Sequence, residues 1–333
     1  MIPRLTIGIP TRNRPEMLRR AIDSALDQTV PVRIVINDSG QCTRSRLMCE
    51  DFASRSPVAG HDFEYIARDG GSLWKNWQHV AKQAKTEFFM WLQDDDVISP
   101  FLAERVVNAF DRYPNAQVYC SRLTFSYDGR LGCSFYGSWG PKLHLDVLRM
   151  RPSEFSGTLL PIVAYFDTWA QSPAKAFRVG DPFYLMLDTL PDGCDMYTER
   201  LDIAFMGMHG TAIADPNVAG LSVLHEKNES LLTTNEAWKQ SVIFHKFLDM
   251  MVELIPNWHD EMFGYFNMPG IHKMLQSFYN DMSLNVELSE NCKAISKMVG
   301  GVLRGIHGMP IIRDEEPATK IIENEFGRFQ VPV

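Results

Sequence analysis

Phe88-Phe89-Met90-Trp91-Leu92-Gln93-Asp94-Asp95-Asp96-Val97-Ile98-Ser99-Pro100 reads as a buried strand that runs directly into three carboxylates. Residues 88–92 are apolar without interruption, the pattern of a strand covered on both faces. Three adjacent anions repel one another, so a fold that keeps them at the mouth of a core strand gains from a cation there. A hard divalent ion held by one or two carboxylates and bridging to substrate phosphates suits that chemistry. The same residues also read as a solvated acidic turn that caps the next helix.

Strands and helices alternate around this stretch. Residues 5–9, 32–36 and 63–67 carry short β-type apolar runs. Pro15 suits the first turn of a helix whose apolar positions Leu18, Ala21, Ile22, Ala25 and Leu26 share one face. Further helices are expected over 44–53, 73–84 and 101–110. This order predicts an α/β fold with a mostly parallel sheet flanked by helices. A β-rich stretch follows over 117–124 and 131–136. Helices are expected to dominate from about residue 152 and to take over completely beyond Asn235.

Composition excludes several classes. The chain has 333 residues, 45% of them hydrophobic and 22% charged, enough for a substantial core. A net charge of -8 argues against unaided nucleic-acid binding, although Arg12, Arg14, Arg19 and Arg20 form a local basic patch. The six cysteines show no CxxC pair and no zinc-type spacing. A reducing cytoplasm is the expected setting, with peripheral attachment to a membrane left open. No signal peptide and no transmembrane run are expected; residues 295–312 are apolar but interrupted by Lys297, Arg304 and His307.

In an open parallel sheet, ligands bind outside the carboxyl ends of the strands. Three such ends are polar here: Pro10-Thr11-Arg12-Asn13-Arg14-Pro15, Asn37-Asp38-Ser39-Gly40, and Asp94-Asp95-Asp96. Together they suit a base and ribose at one side and a metal-bound diphosphate at the other.

The succession IGIPTRNRPEMLRRAIDSALDQT, VINDSG and DGGSLWKNWQHVAKQAKTEFFMWLQDDDVISP resembles the family 2 glycosyltransferases over residues 4–112. A weaker echo follows at GCDMYTERLDIAFMG and LSVLHEKNESLL. The resemblance implies a GT-A fold and an inverting, nucleotide-sugar-dependent transferase. Pro10, Thr11 and Arg12 then line the nucleotide pocket. Asp38 accepts the imide N–H of a uracil or thymine ring; its alternative is to cap the Ser39-Gly40 turn. Arg68 touches the nucleotide or its phosphate, or is a surface arginine. The family's first carboxylate is replaced by Gln93, which shifts the ribose contact to Asp94 and leaves Asp95 as metal ligand. Asp96 is a second ligand or a partner of one. His225 completes the metal site, and Mn²⁺ or Mg²⁺ is the implied ion.

The implied general base is Asp195, with Asp192 as runner-up and a helix N-cap as the structural alternative. The family's later arginine is displaced by one position, at Arg200. Trp139 and Trp169 lie on the acceptor side as core residues or stacking platforms. The implied donor is a UDP-sugar or dTDP-sugar. The acceptor is left open among glycan, lipid, protein and modified nucleobase, and so is homo-oligomerisation. Three regions are expected: 1–115 for the nucleotide sugar, 116–232 for the acceptor and catalysis, and 233–333 as a helical extension. A nucleotidyltransferase and a catalytically silent nucleotide-sugar-binding module are the competing classes.

Overall fold

The computed structural model describes residues 2–68, 70–127, 130–131, 152–156, 172–190, 192 and 198–224. The expected helices beyond Asn235, with the rest of region 233–333, lie outside them. So do Trp139, Trp169, Asp195 and His225.

Four strands form a parallel half-sheet: β1 (Leu5–Thr11), β2 (Val32–Asp38), β3 (Asp62–Ala67) and β4 (Phe88–Trp91). Helices α1 (Pro15–Leu26), α2 (Thr43–Arg55) and α3 (Leu73–Ala81) connect them. β5 (Val97–Ile98) and α4 (Leu102–Arg112) follow, then β6 (Ala116–Tyr127), β7 (Arg130–Leu131), β8 (Ser153–Ser156) and β9 (Lys175–Arg178). α5 (Asp181–Thr189), α6 (Thr198–Gly207) and β10 (Thr211–Leu224) complete the described chain. The sheet order is β3-β2-β1-β4-β9-β6-β10-β5, with β7 beside β6 and β8 beside β10. The parallel half therefore continues, through antiparallel β9, into a mixed half.

β4 shows why the parallel half is buried. Phe88 stacks on Phe110 of α4, with ring centroids 4.6 Å apart. Trp91 and Phe89 point to the opposite face. There Trp91 meets Trp77 at 5.6 Å and Phe177 at 5.5 Å, and its indole N–H donates to the Trp77 carbonyl at 3.1 Å. A period-two strand with both faces covered must be apolar throughout, as residues 88–92 are.

Among the described residues between 152 and 224, strands β8, β9 and β10 stand beside helices α5 and α6, so this part is mixed where the sequence suggests helices. β10 is hidden in the sequence by Asp215-Pro216-Asn217, which reads as a turn. In the fold these residues form an irregularity within one long strand, where the β6 register shifts between Ala214 and Val218. Asp215 holds it: its Oδ1 accepts from the Asn217 backbone N–H and its Oδ2 from the Tyr119 hydroxyl at 2.6 Å. A bulge of this kind lets a strand carry a proline without losing its partners.

Candidate active site

The parallel register fixes where polar strand ends meet. Thr11 pairs with Asp38, and Asp38 pairs with Ala67, so β1, β2 and β3 end level. On the other side Gly8 pairs with Trp91. Three residues on, Thr11 and Asp94 face each other, and the Thr11 hydroxyl donates to Asp94 Oδ2 at 2.6 Å. The contact joins the last residue of β1 to the turn that follows β4.

The carboxylate turn is almost entirely buried. Asp94, Asp95 and Asp96 are 5%, 8% and 3% exposed. The Arg14 guanidinium lies 3.4 Å from Asp94 Oδ1 and 3.4 Å from Asp95 Oδ2. Burial, and then the neighbouring charge of Asp95, raises the Asp94 carboxyl well above the usual carboxylate range. Two adjacent buried carboxylates with one bridging cation are a hard oxygen donor set of the kind a divalent ion uses when phosphates supply the rest. Among the described residues, no three His, Cys, Asp or Glu side chains gather as a complete metal cage.

Asp96 has a separate task. Its Oδ1 accepts the backbone N–H of Val223 at 3.0 Å, while β5 pairs with β10 through Val97 and Leu221. The carboxylate turn is thereby tied to the end of β10, two residues before His225. Asp96→Ala is expected to lower stability by about 1–3 kcal/mol, because it strands a buried N–H, and Asp96→Asn to recover most of it. Urea denaturation of both variants checks this; equal losses would show that charge, not the acceptor, matters.

Asp38 is fully buried at the end of β2. Its Oδ1 accepts the Gly40 N–H at 2.9 Å, and its Oδ2 accepts from the Cys42 N–H at 3.2 Å and the Tyr65 hydroxyl at 3.1 Å. The geometry thus displays the turn-capping role, and an imide contact requires the turn over Asp38 to move. That turn is tightly built. A Cβ on Gly40 would stand 2.9 Å from the Asn13 backbone nitrogen and would also run into the Asn13 side chain, so glycine permits the approach of the two loops. Asn13 and Gln41 both adopt left-handed backbone, with φ of 58° and 53°. Such strain concentrates where a loop is held for function.

Pro10 and Thr11 are buried at the end of β1, whereas Arg12 is exposed. Arg68 continues β3; its backbone N–H donates to the Asp38 carbonyl at 3.0 Å and its guanidinium meets His79 Nδ1 at 2.9 Å. Asp192 is exposed beyond the end of α5. Sequence reasoning missed Asn76. Its side-chain amide on α3 donates to the Thr11 carbonyl and to Ser39 Oγ, both at 3.1 Å, and so joins the two strand ends. Nothing in a single asparagine within a helical pattern signals this. The bridging position of Arg14 was equally invisible, since it depends on where the β4 turn arrives.

The family model described as "Glycosyl transferase family 2" matches residues 6–139. An uncharacterized glycosyltransferase of Rickettsia typhi is 28% identical over 121 residues, covering 35% of this chain and 36% of that protein. The minor teichoic acid biosynthesis protein GgaB of Bacillus subtilis is 26% identical over 131 residues, covering 38% and 14%. The chain thus spans little more than a third of the length of the first relative, and less of the second. The S. aureus TarS 1-349 structure in complex with UDP-GlcNAc has a TM-score of 0.50 at 13% identity, covering 94% of this chain and all of that one. The mannosyltransferase PcManGT of Pyrobaculum calidifontis, in complex with GDP-Man and Mn²⁺, has a TM-score of 0.50 at 14% identity, covering 90% and 85%. The expected α/β architecture is that of these glycosyltransferases, the GT-A fold. Among the described residues no helix is long and apolar enough to cross a membrane.

Proposed function

Starting from a chain that carries a family 2 glycosyltransferase domain over residues 6–139, we propose that it moves a sugar from a UDP-sugar or dTDP-sugar to an acceptor hydroxyl with inversion. One observation carries this reading. Thr11, Arg14, Asp94 and Asp95 converge at the carboxyl edge of the sheet, beside the strained turn that follows Asp38. That is where a nucleotide diphosphate belongs in a parallel sheet. The nucleotide-sugar complexes of the two structural relatives are in keeping with it.

The residues divide the work by position. Pro10, Thr11 and Arg12 border the nucleotide, and the Asn13–Gly40 contact sets the wall of the pocket. Arg68 lies at the neighbouring strand end. Asp94, held by Thr11, faces the ribose side, and Asp95 is the principal metal ligand. Asp96 supports the turn and serves the metal indirectly, and His225 is the candidate to complete the site. Mn²⁺ or Mg²⁺ bound here supplies Lewis-acid stabilisation of the departing diphosphate. The acceptor hydroxyl attacks the anomeric carbon as the diphosphate leaves from the opposite face. Asp195 takes the hydroxyl proton, with Asp192 as the competing base.

Calorimetry tests the core of this reading. UDP binding is expected to strengthen with Mn²⁺, and Asp95→Asn to weaken the ternary complex by at least about tenfold, since even indirect partners of a metal cost about 10–100-fold. Equal UDP affinity with and without Mn²⁺ sinks the metal assignment. Hydrolysis of UDP-sugars by the purified protein separates a transferase from a silent binding module.

A further inference from the structure

We propose that Asn76 is a positioning residue that fixes the spacing between the nucleobase end and the diphosphate end of the donor site. The inference rests on the glycosyltransferase reading above and gives that site a residue that acts through its neighbours.

Asn76 lies on α3 and is 7% exposed. Both ends of its amide are engaged. The nitrogen donates to the Thr11 carbonyl and to Ser39 Oγ, each at 3.1 Å. The oxygen accepts from the Asn37 amide on β2. A carbonyl can only accept, so the amide nitrogen must face Thr11, and the Asn37 donor holds the amide oxygen on its own side. The amide is thereby locked in one orientation. It grips the last residue of β1 and the first residue after β2. Strand pairing ends there: Thr11 and Asp38 are the last partners, and the Ser39 N–H adds a bond to the Thr11 carbonyl at 3.0 Å.

Each grip leads to a different part of the site. The Thr11 hydroxyl donates to Asp94 at 2.6 Å, in the carboxylate turn. Ser39 precedes Gly40, whose N–H donates to Asp38 at 2.9 Å, on the base side. A continuous path thus runs from Asp38 through Ser39, Asn76 and Thr11 to Asp94. The network is not arranged for stability alone. Asn37 is 1% exposed, and its own amide oxygen finds no hydrogen-bond partner among the described residues. An unsatisfied buried acceptor costs more than an apolar replacement of the pair would. A buried polar network that tolerates this cost supplies one fixed geometry.

A ligand that spans two subsites gains from their spacing. Binding at one end raises the effective concentration of the other end at its own subsite, and a variable spacing forfeits that gain. Loss of Asn76 therefore penalises UDP, which spans both ends, and spares uridine, which reaches one.

Calorimetry for UDP and ligand-observed nuclear magnetic resonance for uridine test this, well below the melting temperature of every variant and with Mn²⁺ in all samples. Asn76→Ala is expected to bind UDP about tenfold more weakly and uridine within about twofold of the parent. Ser39→Ala removes one grip and is expected to weaken UDP binding about threefold, again sparing uridine; it decides the question if Asn76→Ala does not fold. A merely structural role moves both ligands alike or moves neither, and either result overturns the proposal, as does a loss for uridine alone. The parent protein separates the two levels. If it binds UDP no more tightly than uridine, the glycosyltransferase reading falls and the proposal with it. If it favours UDP and both variants keep the full preference, only the role of Asn76 falls.

Discussion

Asp195→Asn is expected to reduce sugar transfer about 10²–10⁴-fold while leaving UDP affinity in place, the usual cost of losing a general base. The motive is position in the chain. α5 ends at Thr189 and α6 begins at Thr198, and Asp195 lies between them in the sequence. α5 is fastened to α3 and the residue that follows it. The Trp74 indole N–H donates to the Leu190 carbonyl at 3.0 Å, and the Lys82 ammonium pairs with Asp188 at 2.7 Å. The end of α5, six residues before Asp195 in the sequence, is therefore anchored beside α3. A base acts only in the transition state, so its loss lowers kcat and kcat/KM together and spares donor binding. Paired measurements of turnover and UDP calorimetry check this. Normal transfer by Asp195→Asn together with an inert Asp192→Asn moves the role to Asp192.

Lys175→Ala is expected to destabilise the domain by about 3–5 kcal/mol, the cost of leaving a buried charge without its partner. The Lys175 ammonium on β9 donates to both oxygens of Asp202 on α6, at 2.8 and 2.7 Å. Both side chains are fully buried. β9 is the antiparallel strand that joins β4 to β6, so this pair clamps α6 to the junction of the two half-sheets. The neighbouring Cys120 thiol is pushed up to about 12, chiefly by burial, which makes it a protonated core group and not a nucleophile at neutral pH. The double variant Lys175→Met, Asp202→Leu is expected to recover most of the loss, because a well-packed apolar pair replaces a buried ion pair at little cost. Denaturation midpoints of the three variants decide the matter. A single-variant loss below about 1 kcal/mol would mean that water reaches the pair.

The parallel half-sheet was legible because its signals are local. Residues 88–92 must be apolar when α4 covers one face and α3 and α5 the other, and the alternation of short strands with amphipathic helices leaves few topologies. The acidic run was legible for the same reason: its charge repulsion is a property of adjacent residues. Tertiary structure decided what each polar residue does. Thr11 and Arg14 meet Asp94 because parallel β1 and β4 lie side by side and the turn after β4 arrives at the end of β1. Asp96 is tied to Val223 across 127 positions of chain, a separation that no local pattern encodes. β10 was illegible because Asp215-Pro216-Asn217 carries turn chemistry, and one of the bonds that hold these residues within the sheet comes from the buried Tyr119 hydroxyl, supplied by another strand. Local propensity sets which segments extend or coil; the satisfaction of buried charges and hydrogen bonds by distant partners sets which of the candidate residues stand together.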